Sequence, residues 1–584
     1  MRPTPTTHHT PGHTAITPVT PDDSTSAGPE PAGLPDAGQE HAPGRGRATA
    51  RAADTAPTSA PSGRVLAKAT LLTSVLSMAG ALLGLVRDQS LAHFFGASGE
   101  TDALLVAWTL PELAGSLLIE DGMVIALVPA FSVALARRAQ GVTSPDPVRA
   151  LIAASLPRLG LALAAMAAVF IAAAPPLVSV LAPGLPDPSL AVDCTRMTAT
   201  CVLTFGLAGY CSAALRAHRS YLPPATISLA SNTAIIVTMF VLGGHWGVRS
   251  AAFGVALGGC LMVAVQALSL WRRISDGPRK PASAEAGEER RPLALALVGA
   301  VLLFSLCRHS QVLVERYFGS ALPSGSISHL NYAQKVGQFP MMLALMLAIV
   351  TYPVVAQAIA QGDLRRARER IERDLVLVAS IALAGAAAIV VCAPQIVQLL
   401  FQRGAFTAAD TASTAGILRV YTLGLLGHTL VGALMRSYFS AGRATWYPAG
   451  AMAVGMVATA GIDAWSADHW GARGIAAGNA AGITLTALIL LHGLGSHGVP
   501  VRVRRLVGEL AKPPVAAVCA AGAGFVCTRA FTSPPAAVAA GGVSVTAVFL
   551  LLAWVLDAAD ARALMRSASL TVRRSLTRKL RHGR

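Results

Sequence analysis

The chain has 584 residues, of which 53% are hydrophobic and only 13% are charged. Such a composition excludes an ordinary water-soluble globular domain and predicts a protein that crosses the membrane many times. The net charge of +17 would suggest nucleic acid as the partner of a soluble protein. Here, however, the basic residues are concentrated in alternate loops between apolar stretches, as in membrane proteins. We therefore expect membrane lipids, and no nucleic acid, as partners.

Apolar stretches of membrane-spanning length follow one another along most of the chain. Residues 1–60 lack such a stretch and are rich in Pro, Thr, Ala and Gly, which predicts a disordered cytoplasmic tail rather than a signal peptide. Each later stretch is close to the roughly 20 residues that a helix needs to cross the hydrocarbon core. Helix is the expected structure because a backbone in lipid must satisfy its own hydrogen bonds. The fourteen predicted spans are 65–86, 103–131, 150–181, 192–215, 223–243, 247–271, 292–314, 327–354, 374–398, 411–439, 445–464, 471–493, 512–530 and 535–557.

One short segment occurs twice. His245–Arg249 reads His-Trp-Gly-Val-Arg, and His469–Arg473 reads His-Trp-Gly-Ala-Arg, 224 residues further on. The same offset aligns Pro129 with Pro353. A fixed spacing that matches Trp, His and Arg indicates a duplicated helical bundle, which is a common design of transporters.

The repeat predicts how the chain is divided. We expect two pseudo-symmetric lobes of six helices with a cavity between them, followed by two further helices, so the fold class is an all-α polytopic membrane protein. The predicted segments are a first lobe at 64–274, a cytoplasmic linker at 275–291, a second lobe at 292–496, two extra spans at 510–558 and a basic tail at 559–584. An even number of spans and the positive-inside rule predict a cell-membrane protein with both termini in the cytoplasm.

Acidic residues inside the first predicted lobe are candidates for a polar cavity. The second span carries Glu112, Glu120 and Asp121, with Asp102 at its outer edge. Because charged side chains are costly in lipid, we expect these carboxylates to face a cavity, where they would respond to a coupling cation or gate the transport path. For Asp88, which follows Arg87 at the end of the first span, an interfacial ion pair is the alternative.

The second predicted lobe contributes cations instead. Arg308 lies in the seventh span and Lys335 in the eighth, where no acidic residue occurs between 336 and 351. The contrast between an acidic second span and cationic seventh and eighth spans indicates where a charged substrate would bind. Arg419 and Arg436 in the tenth span are better explained by contacts between helices or by side chains that reach the interface.

Three segments resemble a known family. Arg87–Gly96 reads Arg-Asp-Gln-Ser-Leu-Ala-His-Phe-Phe-Gly, Gly325–Ala333 reads Gly-Ser-Ile-Ser-His-Leu-Asn-Tyr-Ala, and Leu400–Thr411 reads Leu-Phe-Gln-Arg-Gly-Ala-Phe-Thr-Ala-Ala-Asp-Thr. These segments are similar to those of the MurJ/MviN family of lipid II flippases, and the resemblance covers about residues 64–558. It implies the two-lobed fold of the multidrug/oligosaccharidyl-lipid/polysaccharide (MOP) exporters. It also implies that the two extra spans help to form a groove for the lipid tail.

The chain departs from the family's pattern at cationic positions. Ala81, Gly115 and Ser116 stand where the family commonly has arginines, and Gln334-Lys335 replaces an Asp-Arg pair. Arginine suits a lipid diphosphate because its guanidinium pairs two oxygens at once and stays charged in a low dielectric. A site with fewer arginines and with additional acids is expected to bind diphosphate less tightly.

The leading hypothesis is a flippase that moves a polyprenyl-diphosphate-linked saccharide, the peptidoglycan precursor lipid II, to the outer leaflet by alternating access. No enzymatic activity and no cofactor are expected. The alternatives are an exporter of the same fold for another glycolipid or a cationic metabolite, and a scaffold that binds cell-envelope synthesis proteins without transport. The predicted substrate-binding residues are Arg87, Lys335, Arg308 and Asn331. The predicted coupling or gating residues are Asp88, Asp102, Glu112, Glu120 and Asp121, with a coupling cation as a further partner.

Overall fold

The structure, a computed structural model, describes residues 63–140, 146–275, 295–361, 363–440, 445–497 and 501–556. Within these residues every regular element is a helix, so the predicted all-α fold class is confirmed. The predicted tails at 1–60 and 559–584 lie outside the described residues, as does the predicted linker 275–291 except for its first residue.

The first half of the chain contains ten α-helices and one π-helical segment. They are α1 (Gly63–Phe95), α2 (Gly99–Ala114), the π-helix (Gly115–Gly122), α3 (Met123–Ala139), α4 (Pro147–Ala172), α5 (Ala174–Leu181), α6 (Pro188–Ala199), α7 (Cys201–Ala217), α8 (Leu222–Ala225), α9 (Ile227–Trp246) and α10 (Arg249–Ser275). Local sequence sets several helix starts. The Ser98 hydroxyl accepts the amide of Thr101 at the start of α2, and Asp146 and Asp187 cap α4 and α6 in the same way.

The second half and the C-terminal region continue the helical pattern. They contain α11 (Leu295–Ser320), α12 (Ser326–Ala360), α13 (Leu364–Phe401), α14 (Ala408–Leu423), α15 (Leu425–Ser440), α16 (Tyr447–Trp470), α17 (Ala472–His497), α18 (Val503–Leu510), α19 (Lys512–Thr528) and α20 (Pro534–Val555). Thr407 and Asp410 form a capping box at the start of α14. The last two long helices pack on α13 through Val391, Ala520 and Val545.

Each half has its own apolar core. In the first half, Leu104, Ile235 and Met239 are fully or almost fully buried among α2, α9 and α10. In the second half, Leu434 and Met452 lie in a comparable core between α15 and α16. A core within each half is what the alternating-access hypothesis requires of lobes that move as units. Buried residues also meet between the halves, since Ile327 packs in the first core and Ala92 packs among second-half residues.

The duplicated segment has the same backbone geometry in both copies. Helix α9 ends at Trp246 and α16 ends at Trp470, and each is followed by a glycine with positive φ. Gly247 has φ 53° and ψ −139°, and Gly471 has φ 58° and ψ −141°. This region of φ/ψ space is open almost only to glycine. The repeat is therefore structural: it turns the chain sharply between two antiparallel helices in each half.

Fewer helices qualify as membrane spans when apolar composition is required in addition to length. Among the described residues, nine helices are long and apolar enough to span a membrane, or ten if the bent pair α14–α15 forms one span. Helices α1, α11, α12 and α16 have 24 to 35 residues, at least about 36 Å at 1.5 Å per residue. They are thus long enough to cross as well. The count of fourteen spans stays a prediction.

The second predicted span is not a continuous α-helix. It consists of α2, the π-helix and α3, and the change begins four residues after Pro111. Helix α7 packs closely on the π-helix at Gly209, where a Cβ atom would lie 2.3 Å from the carbonyl oxygen of Leu118. π-Helical turns are frequent at functional sites. Here the π-helix begins three residues after Glu112, next to the cavity described below.

Candidate substrate cavity between the two halves

A polar cavity of 490 Å³ lies between the first and second halves. Helices α1, α2, α7, α9 and α10 and the π-helix line it from one side, and α11, α12, α14 and α15 from the other. The charged and histidine side chains that line it are Arg87, Glu112, Arg308, His309, Lys335 and His428. Three permanent cations and one carboxylate make this a basic cavity.

Arg87 is held firmly at the first-half wall. Its Nη2 and Nε atoms lie 2.7 and 3.0 Å from Oδ1 of Asp88, and Nη1 donates to Oδ1 of Asn232 at 3.1 Å. The guanidinium carbon also lies 4.8 Å from the ring centroid of Trp108. Asn232 is itself fixed, because its Nδ2 donates to the carbonyl of Gly80 at 3.2 Å. The Arg87 guanidinium is thus pre-oriented toward the cavity, which limits the entropy lost when it binds an anion.

Lys335 and Glu112 form an ion pair across the cavity. The Nζ of Lys335 on α12 lies 3.7 Å from Oε1 of Glu112 on α2, and the two side chains are 26% and 30% exposed. The pair joins the two halves across the cavity. Glu112 therefore serves as an internal counter-ion for Lys335 in this conformation.

Helix α11 adds Arg308 and His309 to the same cavity. The Nδ1 of His309 lies 3.4 Å from Oγ of Ser116, which stands at one of the positions where arginine was expected from the resemblance. Gln334 and Gln338 line the second-half wall. The cavity thus combines separated cations with neutral amide groups that can hydrogen-bond hydroxyl or amide groups of a ligand.

Asp102 lies outside this cavity, in a buried contact between the halves. Its Oδ2 accepts the amide of Gly325 at 2.6 Å, and its Oδ1 accepts the amide of Ser328 at 2.7 Å and the Ser328 hydroxyl at 2.6 Å. These donors lie at the start of α12, where unpaired amides attract a carboxylate. Asp102 therefore does not face the cavity, and its contact joins the two halves.

The remaining predicted residues are placed as follows. Asp88 is buried and paired with Arg87. Asn331 is buried and does not line the cavity; its Oδ1 lies 3.5 Å from Nη2 of Arg316. Glu120 and Asp121 belong to the π-helix, but their side chains lie outside the described part of the structure. The structure thus brings Arg87, Arg308, Lys335 and Glu112 together and places Asp102 and Asn331 elsewhere.

A buried polar network in the second half was not predicted. His428 lines the cavity, and its Nε2 lies 2.9 Å from Oδ1 of Asn479. The Nδ2 of Asn479 donates to Oε1 of Glu315 at 2.6 Å, and Glu315 is almost fully buried. A path of hydrogen-bonding groups therefore runs from the cavity to a buried carboxylate.

Asp463 lies in the same buried region and is fully inaccessible to solvent. Neither of its carboxylate oxygens has a hydrogen-bond partner among the described residues, and its Oδ1 lies directly beside Gly478, the chain neighbour of Asn479. A buried carboxylate without donors is stable only when a proton or a cation neutralises it. An acidic residue inside the predicted span 445–464 was the sequence signal that could have identified it.

The family model described as lipid II flippase MurJ matches residues 91–538. Lipid II flippase MurJ of Burkholderia cenocepacia is 28% identical over 385 residues, covering 64% of this chain and 73% of the relative. Probable lipid II flippase MurJ of Bdellovibrio bacteriovorus is 26% identical over 478 residues, covering 79% and 87%.

Two solved structures share the fold. Lipid II flippase MurJ in an inward closed conformation has a TM-score of 0.66 at 20% identity and covers 85% of this chain and all (100%) of that one. An inward-facing multidrug resistance MATE family transporter of the MOP superfamily has a TM-score of 0.55 at 16% identity, covering 75% and 99%. These likenesses confirm the MOP-type transporter fold that the resemblance implied.

Proposed function

The chain belongs to the family of the lipid II flippase MurJ, and we propose that it moves lipid II, a polyprenyl-diphosphate-linked saccharide, from the inner to the outer leaflet. The two halves would open the cavity to one side of the membrane at a time. The protein is a multi-pass membrane protein and a transporter, not an enzyme. Its substrate is therefore bound and released without a chemical step.

The observation that carries this proposal is the convergence of three cations in one cavity. Arg87 comes from the first half, and Arg308 and Lys335 come from the second. A diphosphate spreads negative charge over several oxygens, so it can pair with more than one cation of the lining. A cavity for a cationic metabolite would need the opposite balance, and Glu112 is the one carboxylate among the described lining residues.

Cavity positions that carry charged residues in the family are neutral in this chain, and this difference would change how the substrate is held. Gly115 and Ser116 line the cavity where the family commonly has an arginine pair, and Gln334 lines it where the family has an aspartate. Fewer cations mean weaker attraction for the diphosphate, and the glutamine amides offer hydrogen bonds to the saccharide instead. We therefore expect recognition to be shared between the diphosphate and the sugars.

Asp463 and Glu315 are the proposed coupling site. Binding a proton or a monovalent cation there would neutralise buried charge, and the path through Asn479 and His428 would connect that event to the cavity. Movement of one charge across 100 mV supplies about 2.3 kcal/mol. That energy is enough to shift a two-state equilibrium roughly fiftyfold, since 1.4 kcal/mol is a factor of ten.

The orientation of the chain in the membrane is also part of the proposal. Arginine-rich helix ends, such as the start of α13 with Arg365, Arg366 and Arg368, would lie in the cytoplasm according to the positive-inside rule. Helix α13 and α12 then enter the membrane from opposite sides. In this orientation Asp102 and Ser328 would lie on the outer side, where their contact would close the cavity.

Charge reversal at Arg87 and Lys335 tests the proposal. The variants R87E and K335E should lose flipping of lipid II in reconstituted vesicles and should fail to support growth of cells depleted of their own flippase. K335R should retain activity because it keeps the cation. The control R272E changes an exposed arginine at the end of α10 and should behave like the native protein.

The alternatives give other outcomes. Normal flipping by both R87E and K335E would sink the substrate assignment. An exporter of a cationic metabolite would gain rather than lose substrate affinity in K335E. A scaffold for cell-envelope synthesis proteins would tolerate both reversals and would instead lose function when residues 1–60 or 559–584 are deleted.

A further inference from the structure

A second polar cavity, of 260 Å³, lies between the beginning of α13 and the short helix α18. It shares no lining residue with the cavity between the halves. Five arginines line it: Arg365, Arg368, Arg373, Arg502 and Arg505. Three glutamates, Glu369, Glu372 and Glu509, accompany them. The lining thus carries more positive than negative charge.

The glutamates already have partners. Glu369 is paired with Arg365 at 3.1 Å, and Glu509 with Lys512 at 2.9 Å. Glu372 accepts the backbone amide of Arg502 at 2.9 Å. Each of the three acids therefore already accepts from a basic side chain or from a backbone amide.

Three arginines keep donor capacity for an added anion. The Nε of Arg368 is buried and has no hydrogen-bond partner in the described part of the chain. Among the residues that the structure describes, no carboxylate forms an ion pair with the side chain of Arg502 or Arg505. The guanidinium groups of Arg502 and Arg505 are accessible, so an oxyanion in the cavity can accept hydrogen bonds from them.

The cavity lies at the depth of the lipid headgroups. Helix α13 has 38 residues, about 57 Å at 1.5 Å per residue, which exceeds the roughly 30 Å hydrocarbon core. Its arginine-rich first turns therefore project beyond the core. Helix α18 buries Leu506 and Leu510 against the second half and exposes Arg504 and Arg505, as a helix lying in the interface does.

We propose that this cavity binds the phosphate of an anionic phospholipid headgroup. The arginines present the guanidinium groups that pair phosphate oxygens two at a time, and Val376 and Leu506 form an apolar floor beside them. The bound headgroup bridges α13 and α18 and so adds a second link to the α19–α20 pair, which already packs on α13. This site is independent of the flipping proposal, because it takes a structural lipid and not the transported one.

Thermal unfolding of the purified full chain in neutral detergent tests this site. Phosphatidylglycerol should raise the Tm of the native protein, whereas phosphatidylcholine should not. In R368Q and R505Q the phosphatidylglycerol concentration for half of the effect should rise at least tenfold. The matched controls are R366Q on α13 and R504Q on α18, whose arginines are exposed and do not line the cavity; both should respond like the native protein.

Two results would overturn the proposal. Equal Tm shifts in R505Q and R504Q would show that the lipid acts elsewhere; R505Q is decisive because Arg505 is exposed and its loss leaves the packing of α18 intact. If inorganic phosphate at the same concentration reproduced the shift and R505Q abolished it, the site would belong to a soluble phosphate compound. Neither result depends on whether the protein flips lipid II.

Discussion

The carboxylate of Asp102 accepts both the backbone amide and the hydroxyl of Ser328, at 2.7 and 2.6 Å, although the two residues lie in different halves of the protein. The amide of Gly325 completes the contact. All these groups are buried. Because hydrogen bonds to a charged acceptor contribute about 1.5–3 kcal/mol each, this contact alone can favour the conformation in which the halves meet at this end.

Replacement of Asp102 by alanine should open the cavity to the outside. D102A removes all three hydrogen bonds and leaves buried amides without an acceptor. The measurement is the labelling of a single cysteine at Gln334, in a background without native cysteines, by a membrane-impermeant maleimide. Labelling from the outside should increase several-fold in D102A.

The control for this experiment is E100A, which removes an exposed acid from the same first turn of α2. It should leave the labelling unchanged. Unchanged labelling in D102A as well would mean that other contacts hold this end closed and that Asp102 only fixes the start of α12.

The two repeat glycines provide a prediction about stability. G471A places an alanine at φ 58° and ψ −141°, where a Cβ meets no other atom within 4 Å, so its effect comes from the backbone alone. We expect a loss of about 1–3 kcal/mol in the free energy of unfolding, and a similar loss for G247A. The comparison variant is G461A within α16, where a Cβ also has open space.

G461A should be neutral or stabilising by up to about 1 kcal/mol, because alanine has the higher helix propensity. Urea or thermal unfolding monitored by circular dichroism in detergent measures all three variants. If G471A matched G461A, the positive φ values at the two turns would have no energetic consequence.

The fold was largely predictable because the membrane leaves a backbone few choices. Apolar stretches in lipid must be helical, and the 224-residue repeat indicated two similar halves. Arg87, Arg308, Lys335 and Glu112 were predicted to face a cavity because charges avoid lipid, and the structure places them around the same one. Whether they bind substrate stays a prediction.

Contacts between the halves could not be predicted. Asp102 and Ser328 are 226 positions apart, and no pattern in the sequence relates a carboxylate to the start of a distant helix. Asn331 lies in a segment that resembles the family, yet its orientation toward Arg316 depends on the packing of α11 against α12. Asp463 was overlooked because it is a single acid in an otherwise apolar span.

Glu112 should compete with the substrate for Lys335. In E112Q the ammonium group loses its counter-ion at 3.7 Å, so a diphosphate no longer has to displace it. We expect E112Q to bind a polyprenyl diphosphate up to about tenfold more tightly, equivalent to about 1.4 kcal/mol. Microscale thermophoresis of the purified protein with the lipid in detergent measures this change.

Two variants control for other effects of E112Q. K335Q should bind the lipid more weakly than the native protein, and the double variant E112Q/K335Q should resemble K335Q because the competition no longer exists. Weaker binding by E112Q itself would mean that the carboxylate contacts the substrate, for example through a sugar hydroxyl.

Neutralisation of Asp463 should abolish coupling without destabilising the fold. In D463N the uncharged amide replaces a fully buried carboxylate that has no donor among the described residues, so the penalty of burying that charge disappears. The variant should therefore unfold at the same temperature as the native protein or at a higher one. If Asp463 takes up the coupling proton or cation, flipping in vesicles should at the same time stop responding to an imposed ion gradient or membrane potential.

The control D468N changes an exposed acid on the same helix and should keep the response. A D463N protein that is destabilised and still responds to the gradient would show that Asp463 is a structural residue and that coupling occurs elsewhere.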